Sequence, residues 1–307
     1  MAGRAPKLFL PPRFQHPLGR VAYKLGRRLH EWRWQSSDDE RRRQLAQRHL
    51  HLDQHYWLFV LGANNSGTTL LARLLESHPV IRSLPREGQR YTPAFPRPSD
   101  LGIGRMWGTK LDAFRWTEAH DGAPALRAMY DWSFCYERRP GIILEKSPPH
   151  TVRGRWLQKH FQPCRFLATT RHPFAVCEGV RRRKGCSLED AAAHWTAVNA
   201  TLLEDEPHLS PYLRISYEAL CEQQEPTLRK IEQFLGLSEP FDRDVLTRRY
   251  DVHNVQDVPV QGLQNFNQQS VDRLSPAERD AIVAIAGEVM QRLGYATSTV
   301  SAQNPGT

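Results

Sequence analysis

The sequence predicts a three-layer α/β fold on a central parallel sheet, preceded by a basic helical arm. Two observations carry this. From Tyr56 onward, short apolar runs alternate with longer helical stretches. Alternation at that spacing sets strands in parallel with helices on both faces. Before that point the charge changes: residues 1–50 hold 12 Lys and Arg against 4 acids, and residues 51–307 hold 30 against 29. The excess of this +9 chain therefore sits in its first fifty residues. A nucleic-acid binder would more often spread a basic stripe over its fold, so no nucleic acid is expected as a partner.

In the arm, Val21, Leu25 and Leu29 recur every four residues between Arg20, Lys24, Arg27 and Arg28. This predicts a basic amphipathic helix from Arg20 to Trp34. Its apolar stripe is expected to pack on the body or on a second subunit of a homodimer. Adhesion to an anionic membrane surface or a polyanion is the sharper reading. A transit peptide is a weaker one, because no serine precedes Ser36. Ser37 followed by Asp38, Asp39 and Glu40 reads as the capped start of a second helix reaching about Leu52.

In the body, strands are predicted at Tyr56–Leu61, Val80–Ser83, Gly141–Glu145, Arg165–Thr170 and Tyr212–Ser216. Helices are expected at Thr69–Ser77, Pro124–Arg138, Thr151–Phe161, Phe174–Lys184, Ser187–Leu203 and Glu218–Leu235. Leu84–Gly108, rich in Pro and Gly, reads as a long loop of the functional kind. Ser275-Pro276-Ala277-Glu278 signals a last helix, ending near Leu293-Gly294-Tyr295. The expected organisation is a basic extension over 1–53, one domain over 54–295 and a disordered tail over 296–307. No apolar run reaches the ~18 residues of a membrane span. Pro11, Pro12, Arg13 and Gln15 interrupt any signal core, so a cytoplasmic protein is expected. Five cysteines without a C-x-x-C pair read as isolated reduced thiols.

The strongest chemical signal is the strand Trp57–Leu61 running into Gly62-Ala63-Asn64-Asn65-Ser66-Gly67-Thr68-Thr69-Leu70. A buried strand, a glycine-rich turn and a helix start converge backbone N–H groups on an anion. The spacing is G-x-x-x-x-G, but Thr68 stands where a Walker-type loop has Lys. ATP or GTP hydrolysis would lack its terminal-phosphate cation. A second strand–turn–helix, Arg165–Val176, places Arg171 just past a strand, a second anion site with bidentate capacity. Arg181, Arg182, Arg183 and Lys184 follow on the same helix. Arg183 lies one turn beyond Gly179 and can face the same anion; a solvated helix end is the alternative. The turn at Gly62–Thr69, Glu87, Lys146, Arg171 and Tyr217 each follow a different strand, so they would line one crevice at the carboxyl edge of the sheet.

Ser66-Gly67-Thr68-Thr69-Leu70 after a strand resembles the sulfotransferases that use 3′-phosphoadenosine 5′-phosphosulfate (PAPS). The resemblance extends from about Tyr56 to Tyr295 and implies a P-loop NTPase-like fold. It implies that the turn cradles the 5′-phosphosulfate, Arg171 holds the 3′-phosphate, and Tyr217, in Ser216-Tyr217-Glu218-Ala219-Leu220, lies near the nucleotide. Two positions depart from the family: Asn65 replaces the usual Lys or Arg before the serine, and Gly179 replaces a serine. Leu144-Glu145-Lys146-Ser147-Pro148 resembles the Glu–Lys–Ser/Thr–Pro segment of carbohydrate sulfotransferases, and Lys146 is expected to supply the cation that Asn65 cannot. Glu87 is the expected base, with His150 its rival. The implied reaction is in-line transfer of a sulfuryl group to a glycan, phenol, lipid or tyrosyl peptide, without a metal. Tyr91, Phe95, Trp107, Phe114 and Trp116 are expected to shape the acceptor site. A non-catalytic nucleotide-binding adaptor and an atypical P-loop kinase are the alternatives.

Overall fold

The computed structural model describes residues 17–51, 54, 56–250 and 260–296. At its centre lie five parallel strands: β1 (Trp57–Leu61), β2 (Ile81–Ser83), β3 (Ile142–Glu145), β4 (Cys164–Thr170) and β5 (Tyr212–Ser216). They stand in the order β2-β3-β1-β4-β5. Each lies within one residue of its expected range. The helices are α1 (Pro17–Ser36), α2 (Asp39–Leu50), α3 (Thr68–Leu75), α4 (Ala123–Cys135), α5 (Gly154–His160), α6 (Pro173–Lys184), α7 (Leu188–Asp205), α8 (Tyr217–Glu222), α9 (Gln224–Leu235), α10 (Asn267–Val271) and α11 (Pro276–Arg292).

β1 is buried at all five residues because β3 and β4 pair on either side of it. Its side chains alternate between two cores, as the period of a strand requires. Trp57, Phe59 and Leu61 meet Trp132 of α4 and Trp156 of α5. Leu58 and Val60 meet Leu71 and Leu74 of α3 and Ile231 of α9. A third core joins α6, α7 and α11 through Val180, Trp195, Ile282 and Met290. The start of α11 is the capping box the sequence announces: Ser275 Oγ accepts from Glu278 N, and Glu278 Oε2 accepts from Ser275 N.

Some elements differ from expectation. The stretch 218–235 breaks into α8 and α9 at Gln223, which has φ −118° and ψ 54°. Pro226 has no N–H for the carbonyl of Glu222, and its ring would press on that carbonyl. The stretch 151–161 becomes a 3-10 turn, Pro148–Val152, followed by the short α5. α2 is capped by Asp38, whose carboxylate accepts from Arg41 N at 2.8 Å, and not by Ser37. The tail beyond Ala296 lies outside the described residues.

The 84–116 segment is laid down in three 3-10 turns, Gly88–Arg90, Pro98–Leu101 and Trp107–Ala113. Its aromatic residues, expected to shape the acceptor site, are packed into the cores, and none of them lines the crevice at the strand ends. Tyr91 and Phe95 enter the first core, with Trp116 packed against it. Trp107 and Phe114 pack with Ala63, Val152 and Val198. Arg153, fully buried, donates Nε to Phe114 O and lies 4.5 Å over the Trp116 ring. The aromatic side chains hold the segment down, which leaves its backbone and its charged residues to the surface.

Two bonds fasten this segment next to the glycine-rich turn. Trp107 Nε1 donates to Asn64 Oδ1 at 2.6 Å, and Gly108 N donates to His194 Nδ1 at 2.9 Å. Burial lowers the His194 pKa from 6.5 to about 4, which keeps Nδ1 an acceptor. An unfolded chain would take up this proton first, so the contribution is complete above pH 6.5 and is lost as pH falls toward 4. The unfolding free energy should fall over that window by on the order of 3 kcal/mol for this group, and the melting temperature with it. His194→Gln should remove that share of the slope in melts recorded against pH; an unchanged slope would exclude His194 as its source.

Candidate active site

The five strand ends open on one crevice of about 770 Å³. At its floor, the chain leaves β1 through Gly62 (φ +148°), Asn65 (φ +66°) and Gly67 (φ +89°). Only a glycine fits at 67: a Cβ there would stand 2.7 Å from the Tyr217 ring. No side chain caps α3, so the amide donors of its first turn are left to the crevice, with the positive end of the helix behind them. Asn65, Gly67, Thr68, Thr69 and Leu70 line the space. Gly62 and Ser66 do not. Gly62 N donates to Thr151 Oγ1 at 2.7 Å, and Ser66 Oγ turns back to Ala63 O at 2.6 Å. Their work is to hold the turn.

Arg171, just after β4, stacks 4.0 Å over the Tyr217 ring and donates to Asn65 O at 3.0 Å and to Asn267 Oδ1 at 2.7 Å. Tyr217 donates its hydroxyl to Gln264 O, and burial pushes its pKa up, so it stays a neutral phenol. Arg171, Tyr217, Gly179 and Arg183 all line the crevice, as the sequence predicts.

The two departures from the family pattern touch each other. A Cβ added at Gly179 would lie 3.2 Å from Asn65 Nδ2. That Nδ2 is buried and has no hydrogen-bond partner. The Asn65 Oδ1, in turn, accepts from Arg105 at 2.7 Å, and Arg183 Nη1 lies 3.5 Å away. The cation nearest the Asn65 side chain is Arg105, which sequence reasoning missed. It lies forty positions downstream in a segment without periodicity, and Trp107 bonded to Asn64 carries it there.

Lys146, after β3, is drawn instead to Glu87, with 3.7 Å from Nζ to Oε1. The other Glu87 oxygen accepts from Gln89 Nε2 at 2.8 Å, and Arg90 Nε lies 3.6 Å from it. Both Glu87 and Lys146 line the crevice. His150 does not. It is fully buried with Nε2 3.1 Å from Glu145 Oε2, so it faces no acceptor. Burial pushes the Glu145 carboxyl up, but His150, Ser147 and the Gly88 N–H outweigh it and hold its pKa below the usual value. Glu145 thereby fixes the start of the turn that presents Glu87: Gly88 N donates to its Oε1 at 2.7 Å. Among the described residues, no group of three or more His, Cys, Asp or Glu is placed to hold a metal ion.

A family model described as "Sulfotransferase family" matches residues 58–242, more than half the chain. No curated protein matches. Among solved structures, the sulfotransferase domain of the Synechococcus PCC 7002 olefin synthase is similar, at 21% identity and a TM-score of 0.50, over 78% of this chain and 94% of that one. A sulfotransferase from Alicyclobacillus acidocaldarius has 18% identity and a TM-score of 0.46, over 77% and 93%. Mouse SULT7A1 complexed with PAP has 15% identity and a TM-score of 0.42, over 80% and 89%. With the five-strand parallel sheet and the family match over its motifs, the chain belongs to the sulfotransferase family.

Proposed function

We propose that this chain transfers a sulfuryl group from PAPS to a hydroxyl acceptor. One observation carries the reading. The open start of α3 with Arg171 and Arg183 at one side, and Glu87 with Lys146 at the other, share a single crevice. The first group fits a ligand with two separated anionic ends. The orphaned Asn65 Nδ2 and the close approach of Gly67 fit a phosphate pressed onto the turn. In the reaction, the acceptor oxygen bonds to sulfur as the sulfur–oxygen bond to the nucleotide phosphate breaks, leaving 3′,5′-adenosine bisphosphate. Glu87 takes the acceptor proton. Lys146 holds that carboxylate in place. Arg105 brings positive charge to the turn, where Asn65 has none. Aligned donors at the charge that develops are the larger contribution; the base adds about 10²–10⁴-fold. A triphosphate ligand lacks its usual lysine, since Thr68 follows Gly67.

Thermal melts test the nucleotide first. At about 100 times its dissociation constant, 3′,5′-adenosine bisphosphate should stabilise the protein by about 2.7 kcal/mol, and ATP with magnesium should not. The reverse pattern would favour a kinase. Transfer of labelled sulfate from PAPS to a panel of glycans, phenols, lipids and tyrosyl peptides separates an enzyme from an adaptor and identifies the acceptor.

Glu87→Gln should lower transfer by about 10²–10⁴-fold while bisphosphate binding persists; a wild-type rate would exclude Glu87 as the base. Arg105→Ala should lower kcat more than Lys146→Ala does. Equal rates for Arg105→Ala and the wild type would return the cation role to Lys146. Gly67→Ala should cost about 1–3 kcal/mol of stability and abolish the bisphosphate shift, because its backbone is left-handed and its Cβ meets Tyr217.

A further inference from the structure

α1 docks with the face opposite to the one its periodicity suggests. Tyr23 and His30 are buried against α4. His30 Nε2 lies 3.0 Å from Tyr130 O, its ring stacks on Tyr130 at 3.9 Å, and Tyr130 donates its hydroxyl back to His30 O at 2.9 Å. Glu31 and Arg127 form a bidentate pair, and Gly26 lets the helix approach Phe134. This leaves Leu18, Val21, Leu25, Leu29 and Trp32 at 54–79% exposure, five of the eight exposed large apolar side chains among the described residues.

At 100° per residue these five fall on one stripe. Lys24 and Arg28 border it on one side and Arg33 on the other, all exposed. The one acid of α1, Glu31, is tied to Arg127. A second copy laid on the stripe would oppose cation to cation. An anionic bilayer complements both parts, because the apolar residues enter the acyl boundary and the flanking cations reach lipid phosphates. No helix among the described residues is long and apolar enough to cross a membrane, so the contact would lie in the plane of the surface.

We propose that the exposed stripe of α1 seats this protein on anionic phospholipid membranes. The full chain should sediment with vesicles of phosphatidylcholine containing phosphatidylserine, and stay in solution with phosphatidylcholine alone. Leu25→Ser with Leu29→Ser should abolish sedimentation without moving the melting temperature. Lys24→Gln with Arg28→Gln should weaken it by roughly 30-fold. Brominated lipids should quench wild-type fluorescence more than that of Trp32→Phe. Wild-type protein left in solution with the anionic vesicles overturns the proposal. So does equal sedimentation of the serine variant, which would mean a purely electrostatic polyanion contact. A lowered melting point, or loss of a dimer in sedimentation velocity, would show that the chain itself or a second copy covers the stripe, and would overturn it as well.

Discussion

Like charge crowded at the carboxyl edge of the sheet is the constraint on which this molecule turns. Among the described residues, eight Arg and Lys side chains line the crevice with three Glu. Such crowding raises the energy of the empty protein, and the local structure answers it with carboxylates at Lys146, Arg90, Arg73 and Arg182 and with neutral partners at Arg171 and Arg105. Arg171 rests on the Tyr217 ring and on two carbonyl-type oxygens. Arg105 is held by an amide oxygen. The contacts of Arg171 fix its position on groups that carry no charge, so its field stays directed into the crevice. A ligand with several negative charges would relieve the repulsion that remains.

The layout of the sheet was legible because burial writes itself into the strands. WLFVL has no polar residue to spare for solvent, and a strand apolar on both faces must lie inside a parallel sheet. The strand ends followed, and with them Glu87, Lys146, Arg171 and Tyr217. Arg105 was not legible, since its approach to Asn65 depends on where Trp107 and His194 pin a segment rich in glycine and proline. The aromatic residues of that segment misled for a related reason. Composition counts rings but does not say which way they point, and here they point into the core. In the arm, periodicity found the apolar stripe but not its direction, because α1 docks through ring stacking, a close glycine and charged pairs.

α4 connects the arm to the chemistry. Its outer side receives α1 through Arg127 on Glu31, Tyr130 on His30 and the buried Asp131 on Arg27. Its inner side supports the turn that presents Glu87, with Trp132 Nε1 donating to Gly88 O at 3.0 Å, and supports β3, with Tyr136 donating to Leu144 O at 2.6 Å. One rigid helix thus spans the distance from the surface of the arm to the backbone beside the proposed base.

The contact between Asn65 and Gly179 also bears on how the site can diverge. A serine at 179 would press on the Asn65 amide, whose oxygen is already engaged by Arg105. A lysine at 65 would set a second charge against that same guanidinium. Each exchange changes the surroundings of the same amide, so positions 65, 105 and 179 are expected to be coupled. A homologue that regains the cation before the serine is expected to have changed the other two with it.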